Sequence, residues 1–465
     1  MVQAAWEEDK RAMVQFAYGK EGKMIQLSEH FTYQRLLRFT FPSVVMMVFT
    51  SIYGVVDGFF VSNFAGKTSF AAVNFIMPVL MILGCIGFMF GTGGSALISK
   101  TMGEGKNQRA KEIFSMIVCV SVLLGILFAT LGFIFLRPIA LFLGAEGKML
   151  EDCIIYGRIT LLSLPFFILQ FEFQCLFATA AKPNLGLYIT IASGLTNMVL
   201  DALFVAGFGW GLVGAAAATA FSEFVGGVLP LIYFGHKNTS LLRLVKFKFD
   251  GKALFRTCTN GASELMSNIS MSVVSMLYNT QLMKYAGEDG VASYGVLMYV
   301  SLVFQAIYIG YAVGAAPVVG YQYGAQNHME LKSLLKKSMV MTGSFAIAMC
   351  IAGETLGKPL SVLFVGYDKN LLDMTIGAFT IFSISFLFSG FTIFGSSFFT
   401  ALNDGLTSAL ISFLRTLVFQ IAAVLIFPIF WGVDGIWWSI VAAEVMAVTV
   451  TAALLHGKRK KYYYA

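Results

Sequence analysis

The sequence predicts an all-α polytopic membrane protein, with twelve transmembrane helices arranged as two six-helix lobes. The composition is the first observation behind this prediction. Of the 465 residues, 57% are hydrophobic and 12% are charged, and the mean hydropathy is +0.77, whereas soluble domains average about 25% charged residues. The second observation is that apolar runs of roughly 20 residues, long enough to cross a bilayer, recur along the chain. The third is an internal duplication at a constant offset of 221 residues.

The hydropathy pattern places the spans in order along the chain. They are predicted at residues 40–63, 70–98, 113–136, 151–179, 187–206, 212–235, 257–284, 291–318, 338–356, 374–400, 406–428 and 433–455. Because the number of spans is even, both termini are expected on the same side of the membrane.

The basic residues orient these spans, since cytoplasmic loops are enriched in Lys and Arg. Loops after even-numbered spans carry Lys100, Lys106, Arg109, Lys111, Lys182, Lys237, Arg243, Lys246, Lys248, Lys252, Arg256, Lys332, Lys336 and Lys337. Loops after odd-numbered spans carry Lys67, Arg137, Lys148, Lys284, Lys358 and Lys369. The richer side is therefore expected to be cytoplasmic and to hold both termini of a multi-pass protein of the plasma (cell inner) membrane.

The duplication divides the chain into domains. The offset superposes Gly66 on Gly287, Gly103 on Gly324 and Glu223 on Glu444. Because six spans restore the original topology, the repeats are parallel, and a substrate site is expected between them. The predicted divisions are a cytoplasmic N-terminal extension at 1–39, an N-lobe at 40–235, a linker at 236–256, a C-lobe at 257–455 and a basic tail at 456–465. Residues 27–39 are predicted to form either an amphipathic interfacial helix or a solvated lead-in.

Charged residues at membrane depth are the candidate functional residues, because each costs at least ~2.5–3.5 kcal/mol at a helix centre. Those well inside the predicted spans, away from the span ends, are Asp57, Arg158, Glu172, Asp201, Glu223, Glu264, Arg415 and Glu444.

Three polar residues of the N-lobe are expected at one depth. Asp57 lies about six residues, or roughly 9 Å, from the outer end of span one. Asp201 lies similarly deep in span five, and Asn197 precedes it by one helical turn on the same face. Two carboxylates in an apolar pocket can bind a proton near neutral pH, and carboxylate and amide oxygens can equally bind Na⁺. The alternative is that each Asp simply hydrogen-bonds a neighbouring helix.

The C-lobe lacks this group, because the offset places Tyr278, Val418 and Ala422 at the corresponding positions. Weaker candidates for substrate or ion contact are Glu264, Asn268, Tyr278 and Glu172. Glu264 is expected either to make such a contact or to pair with Arg415. A structural role is favoured for Glu223 and Glu444.

Several functions are disfavoured by the residues present. The basic residues lie in short loops, so nucleic acid is not an expected partner. The six cysteines show no paired spacing and the four histidines lie in loops or at span ends. No enzyme activity, no cofactor and no metal site other than Na⁺ at Asp57, Asn197 and Asp201 are therefore predicted.

Three segments resemble the multidrug and toxic compound extrusion (MATE) family of secondary transporters. They are "FPSVVMMVFTSIYGVVDGFFVSNFAG" (41–66), "GTGGSALISKTMGEGKNQRAKE" (91–112) with its echo "GAAPVVGYQYGAQN" (314–327), and "TNMVLDALF" (196–204) followed by "GWGLVGAAAAT" (209–219). In register with the duplication, the resemblance covers nearly the whole chain.

The resemblance implies a V of two lobes that exports amphipathic or cationic small molecules in exchange for H⁺ or Na⁺. The family's acidic N-lobe pocket falls on Asp57, Asn197 and Asp201, and its span-one hinge proline falls on Pro42. Another branch of the family has a C-lobe cation site, for which Glu264 lacks an acidic partner in span ten. A monomer in contact with membrane lipids is expected.

Two alternative functions are less well supported by the residues present. A flippase of lipid-linked sugars would need a cationic cavity, and only Arg158 and Arg415 lie within the predicted spans. A polytopic membrane enzyme would need catalytic side chains clustered at one membrane face, and the sequence offers none.

Overall fold

The computed structural model describes residues 26–366 and 368–464, and within them it contains helices, turns and loops but no β-strand. In the first half, α1 is Tyr33–Phe60 with a π-helical extension Val61–Ala65, α2 is Lys67–Gly103, α3 is Asn107–Leu143 and α4 is Gly147–Thr179. Helix α5 is Pro183–Leu200 with a π-helical extension Asp201–Gly207, and α6 is Gly211–Gly235.

The second half begins with a continuous helical stretch, Gly251–Gly324, that Gly287 divides into α7 (251–286) and α8 (288–324). Helix α9 is His328–Val365 and α10 is Lys369–Ala401. A further stretch, Gly405–Tyr462, includes a π-helical segment Leu414–Val418 and is divided by Gly432 into α11 (405–431) and α12 (433–462).

Four glycines at span junctions have positive φ angles, and they form two pairs related by the duplication. Gly66 and Gly287 have φ values of 95° and 65°, and Gly211 and Gly432 have values of 53° and 58°. Residues with side chains rarely adopt this conformation, and each pair is separated by the repeat offset. The ten long apolar helices of the described residues therefore become twelve spans when the two kinked stretches are divided, as the sequence predicts.

The two lobes meet at the end of the molecule that carries the even-numbered loops, here called the basic end. A Cβ atom added to Gly103 would lie 2.1 Å from the carbonyl oxygen of Tyr321, and one added to Gly324 would lie 2.1 Å from that of Lys100. These two contacts are exchanged by the repeat offset, so α2 and α8 cross about a pseudo-two-fold axis. Close approach of backbones at glycine is typical of membrane helices.

The hydrophobic cores explain how the lobes separate at the other end. One cluster of buried residues lies entirely within 61–216 and another within 274–440. A third cluster, at the basic end, draws residues from both halves. The lobes therefore share a core at the basic end and have separate cores at the opposite end, which gives the V arrangement.

The segment before each lobe crosses to the other lobe. Ahead of α1, the Phe31 amide donates to Glu330 of α9 (2.9 Å), and His30 Nδ1 lies 2.5 Å from the same carboxylate. Ahead of α7, Arg109 of α3 forms an ion pair with Asp250. Glu330 and Arg109 are equivalent under the repeat offset. The two contacts, here called the crossed ties, therefore lie at equivalent places, with an acidic residue on α9 and a basic residue on α3.

The domain ends differ in detail from those expected from hydropathy. Residues 26–32 form a turn and extended chain, and α1 begins at Tyr33 and continues into the first span, so no separate interfacial helix lies over 27–39. The remainder of the N-terminal extension, residues 1–25, lies outside the described residues. The linker is 236–250, because α7 already begins at Gly251. Helix α12 continues to Tyr462, through most of the predicted tail.

Candidate functional site

Three polar residues lie inside the first lobe on α1 and α5. Asp57 is 9% exposed, Asn197 is 2% exposed and Asp201 is completely buried. Asp201 is also the first residue of the π-helical extension of α5. Short π-helical segments within α-helices widen the turn locally and are frequent at functional sites. Here the widened turn begins at the carboxylate itself.

The structure brings these residues together. The Asp57 side chain lies beside those of Asp201, Asn197 and Thr219. One Asp57 oxygen, both Asp201 oxygens and the Asn197 amide oxygen are buried with no hydrogen-bond donor among the described residues. Within the same residues, no ion pair involves either aspartate. Burying unpaired carboxylates is costly, so this cluster, the N-lobe pocket, is suited to binding a proton or a cation.

Sequence reasoning did not single out Thr219 and Tyr156, which lie near the pocket together with Glu223. Tyr156 of α4 is fully buried, lies beside Thr219 and is within electrostatic range of Asp57, Glu223 and Asp201. Thr219 and Glu223 are one turn apart on α6. The hydroxyl at the end of "GAAAAT" was the available signal, but a single Thr in a span is common and specifies no partner.

A hydrogen-bonded chain continues from the pocket between α4, α5 and α6. Gln170 Nε2 donates to the Ser193 hydroxyl (3.3 Å) and to the Tyr53 hydroxyl (3.4 Å). Ser193 in turn donates to the backbone carbonyl of Ser222 (2.8 Å). These bonds hold together the helices that carry the pocket residues.

The matching positions of the second lobe are neutral. Tyr278, which takes the place of Asp57, donates to Gln420 (2.6 Å) and lies 2.9 Å from the Ser439 hydroxyl. Arg415, within the π-helical segment of α11, makes a forked contact with Glu444 at 2.9 and 3.0 Å. Arg415 and Glu444 therefore neutralise each other.

The weaker candidates lie apart from the N-lobe pocket. Glu264 of α7 faces α2 and α4 across the lobe interface, within electrostatic range of Cys85 and Cys175. Arg415 is also within electrostatic range of Glu264, but its close ion pair is with Glu444. Glu172 is fully buried beside Ser121 and also lies near Cys175.

Asn268 and Pro42 are explained by the backbone around them. The Asn268 amide donates to the Glu264 backbone carbonyl (2.8 Å), one turn earlier in α7. Pro42 is buried within α1 and removes a helical hydrogen bond there, so it marks a point where α1 can bend.

Among the described residues, no group of three or more His, Cys, Asp or Glu side chains could hold a metal ion. The oxygens at Asp57, Asp201, Asn197 and Thr219 could accept a proton or a single monovalent cation. A protein with twelve spans in two parallel repeats and such a pocket in one repeat belongs to the class of helical membrane transporters.

Comparison with known proteins identifies the family within that class. The MatE family model matches residues 42–203 and again 265–426. The chain therefore belongs to the MatE family, and the two equal matches are its two repeats.

Relatives and solved structures agree along the whole chain. The sequence is 24% identical to the multidrug export protein MepA of Staphylococcus haemolyticus over 449 residues, covering 95% of this chain and 97% of the relative. The fold is similar to a crystal structure of MATE in the straight conformation, with a TM-score of 0.88, 21% identity and coverage of 97% and 99%. For the same kind of protein in the bent conformation, the TM-score is 0.84 at 22% identity, with coverage of 97% and 98%.

Proposed function

We propose that this protein is a multidrug efflux antiporter that exports amphipathic or cationic compounds in exchange for H⁺ or Na⁺. The observation that carries the proposal is the N-lobe pocket, in which Asp57 and Asp201 are buried without a counter-cation among the described residues. The name of the MepA relatives supports the substrate class. No cofactor is needed, because the ion gradient supplies the free energy.

The pocket couples the ion to the substrate through charge. When both aspartates are ionised, the pocket attracts the coupling ion or a lipophilic cation. When the coupling ion is bound, the pocket is neutral and the buried state is less costly. An ion drives the change of facing state only by the difference in its affinity for the two states.

The facing state follows from the orientation of the loops. If the basic end is cytoplasmic, as the Lys and Arg distribution indicates, the structure is closed towards the cytoplasm and both termini lie there. The cleft between the separate lobe cores then opens outward from a plasma membrane. We propose a monomer, with lobes at 40–235 and 257–455 joined by the linker.

Pro42 is the proposed hinge of α1. Thr40 and Val44, on either side of it, pack against Gly314 and Gly310 of α8. A bend at Pro42 would change the position of the Asp57 half of α1 while this crossing is kept. Glu264, Glu172, Asn268 and Tyr278 are proposed as secondary contacts for substrate or ion.

The test is transport of ethidium, a lipophilic cation, into proteoliposomes under an imposed pH or Na⁺ gradient. The double variant Asp57→Asn with Asp201→Asn is expected to abolish gradient-driven transport. Asp152→Asn is the matched control, since Asp152 is an aspartate of the same lobe, as buried as Asp57, that accepts a hydrogen bond from Ser69 (3.0 Å). Transport that survives in the double variant would disprove the coupling mechanism.

A lipid-linked sugar flippase is less well supported. A pyrophosphate headgroup requires a cationic cavity, but Arg415 is neutralised by Glu444 and Arg158 is exposed on the outer surface of α4. Ethidium transport that depends on both aspartates would exclude this alternative.

A further inference from the structure

Glu223 is a third carboxylate close to the N-lobe pocket. It lies on α6 one turn from Thr219, towards the basic end, and is 7% exposed. Ser163 of α4 is its hydrogen-bonding neighbour. Its second carboxylate oxygen, Oε2, is buried with no partner among the described residues.

Glu223 shares its surroundings with the pocket. Tyr156 is within electrostatic range of Asp57, Glu223 and Asp201. Tyr53 of α1 is likewise within range of Glu223 and Asp57. The groups that face Glu223 from α1, α4 and the α5 extension are therefore acidic or neutral, and no ion pair with a basic side chain reaches it among the described residues.

The repeat-related residue shows what is missing. Glu444 is neutralised by Arg415 at 2.9 Å. The position equivalent to Arg415 is Gly194, where an added Cβ would lie 2.5 Å from Cε1 of Phe49. An aromatic ring thus fills the place where a guanidinium lies in the second lobe. Three carboxylates in one apolar lobe cannot all remain ionised without a counter-charge.

We propose that Glu223 is a second proton-binding site of the first lobe, loaded and unloaded in each transport cycle. This inference rests on the proposed function, and adds one proton per cycle to the ion bound at Asp57 and Asp201. A proton suits Glu223 better than Na⁺, because a hard cation needs several oxygen ligands. Around Glu223, the described residues provide the Ser163 hydroxyl, with the Tyr53 and Tyr156 hydroxyls and the Asp57 carboxylate at electrostatic range. The N-lobe pocket, by contrast, offers two carboxylates, an amide and a hydroxyl.

The proton balance is simple. A proton from the outer solution binds to Glu223 Oε2 while the cleft is open outward, and the same proton leaves to the cytoplasm after the lobes change their facing state. No bond of the substrate is made or broken. Tyr156 is within electrostatic range of Asp57, Asp201 and Glu223, so a change of charge at one site is felt at the other.

The first experiment measures stoichiometry in proteoliposomes, as the limiting ethidium ratio at a series of fixed pH gradients. Each coupled proton multiplies that ratio by about ten per pH unit. Glu223→Gln is expected to lower the ratio about tenfold per unit of gradient, while Glu223→Asp and the control Asp152→Asn keep it. An unchanged limiting ratio in Glu223→Gln, even with a slower rate, would overturn the proposal.

The second experiment detects the proton directly. Infrared difference spectra of the protein in lipid vesicles, taken across a pH jump, report carboxyl groups that gain or lose a proton. One carboxyl C=O band is expected to be missing in Glu223→Gln and shifted in Glu223→Asp. If Glu223 carries a proton permanently for structural reasons, no pH-dependent band is lost, and the proposal fails.

These outcomes separate the two proposals. Transport that survives in the Asp57→Asn, Asp201→Asn variant refutes the proposed function and this inference with it. Transport abolished in that variant, together with a normal stoichiometry and a complete set of bands in Glu223→Gln, refutes the Glu223 site alone. If Glu223→Gln does not fold, the band shift and retained ratio of Glu223→Asp decide the matter.

Discussion

The two lobes have the same order of six helices but differ in whether their buried charges are paired. In the first lobe, Asp57, Asp201 and Glu223 are buried together without a basic partner among the described residues. In the second, Tyr278 and Ala422 replace the aspartates, and Glu444, the counterpart of Glu223, is bound by Arg415. The duplication has thus kept the positions where helices cross and changed those that face the interior of each lobe.

The same helix arrangement therefore contains paired carboxylates in one repeat and unpaired carboxylates in the other. A paired carboxylate fixes α11 against α12, whereas an unpaired one costs stability and can be repaid only by an ion. We interpret the first lobe as the ion-responsive one and the second as its rigid counterpart.

The strongest test compares the two repeat-related glutamates by thermal unfolding in detergent. Glu444→Gln is expected to destabilise the protein by about 3 kcal/mol, because it leaves Arg415 in a largely buried place without its carboxylate. Glu223→Gln is expected to leave the unfolding temperature unchanged or to raise it, since no partner is lost. Equal destabilisation by the two substitutions would contradict the contrast between the lobes.

Substitutions at the two glycines where α2 and α8 cross should have equal effects. Gly103→Ala and Gly324→Ala each push a Cβ against a backbone carbonyl of the other lobe, and overpacking of this kind costs about 1–3 kcal/mol. We expect both to open the basic end, seen as shortened distances between spin labels at Glu146 and Asp368 in a cysteine-free background. Gly295→Ala, where a Cβ meets open space, is the control. Unequal effects would break the pseudo-symmetry.

The C-terminal end of the second lobe is tied down by an acid that the first lobe lacks. Asp404, replaced by Pro183 in the first repeat, accepts from Lys458 (2.7 Å) and from Tyr462 (2.8 Å). Burial opposes ionisation, but these two hydrogen bonds and that of Thr407 together lower the pKa of Asp404. Asp404→Asn is expected to cost about 2 kcal/mol near neutral pH, because charge-assisted hydrogen bonds are lost.

The pH dependence of that loss has a definite sign. Since the folded pKa of Asp404 lies below its unfolded value, the stabilisation is complete above about pH 4 and is lost as the pH falls further. Unfolding temperatures of wild type and Asp404→Asn should therefore converge in acid. A difference that persists unchanged at low pH would show that the carboxylate charge does not matter there.

The smallest expected difference concerns the two crossed ties. Glu330→Ala should cost about 1 kcal/mol, because a buried acceptor of a backbone N–H is removed. Arg109→Ala should cost less, since both side chains of its pair with Asp250 are about a third exposed. Hydrogen exchange at Phe31 and at Val245, respectively, measures the release of each segment. Greater release from Arg109→Ala would reverse the assignment of the stronger tie.

The class of protein, the number of spans and the repeat could all be predicted from the sequence. Hydropathy is a local property that a single helix expresses in lipid, and a constant offset is visible without any contact. Depth, estimated from the rise per residue, was sufficient to place Asp57, Asn197 and Asp201 near one another. The domain ends were less accurate, because helices such as α7 and α12 continue beyond the apolar core that hydropathy detects.

Which buried charges form ion pairs became known from the packing of the helices. Arg415 has Glu264 and Glu444 as candidate partners in sequence, and the structure gives it to Glu444. Likewise, Glu223 and Glu444 are indistinguishable as repeat-related residues, and only the packing of Phe49 against Gly194 shows why the first has no cation. The physical reason is that a pairing depends on the rotation and crossing of separate helices, which the hydropathy of each helix leaves undetermined.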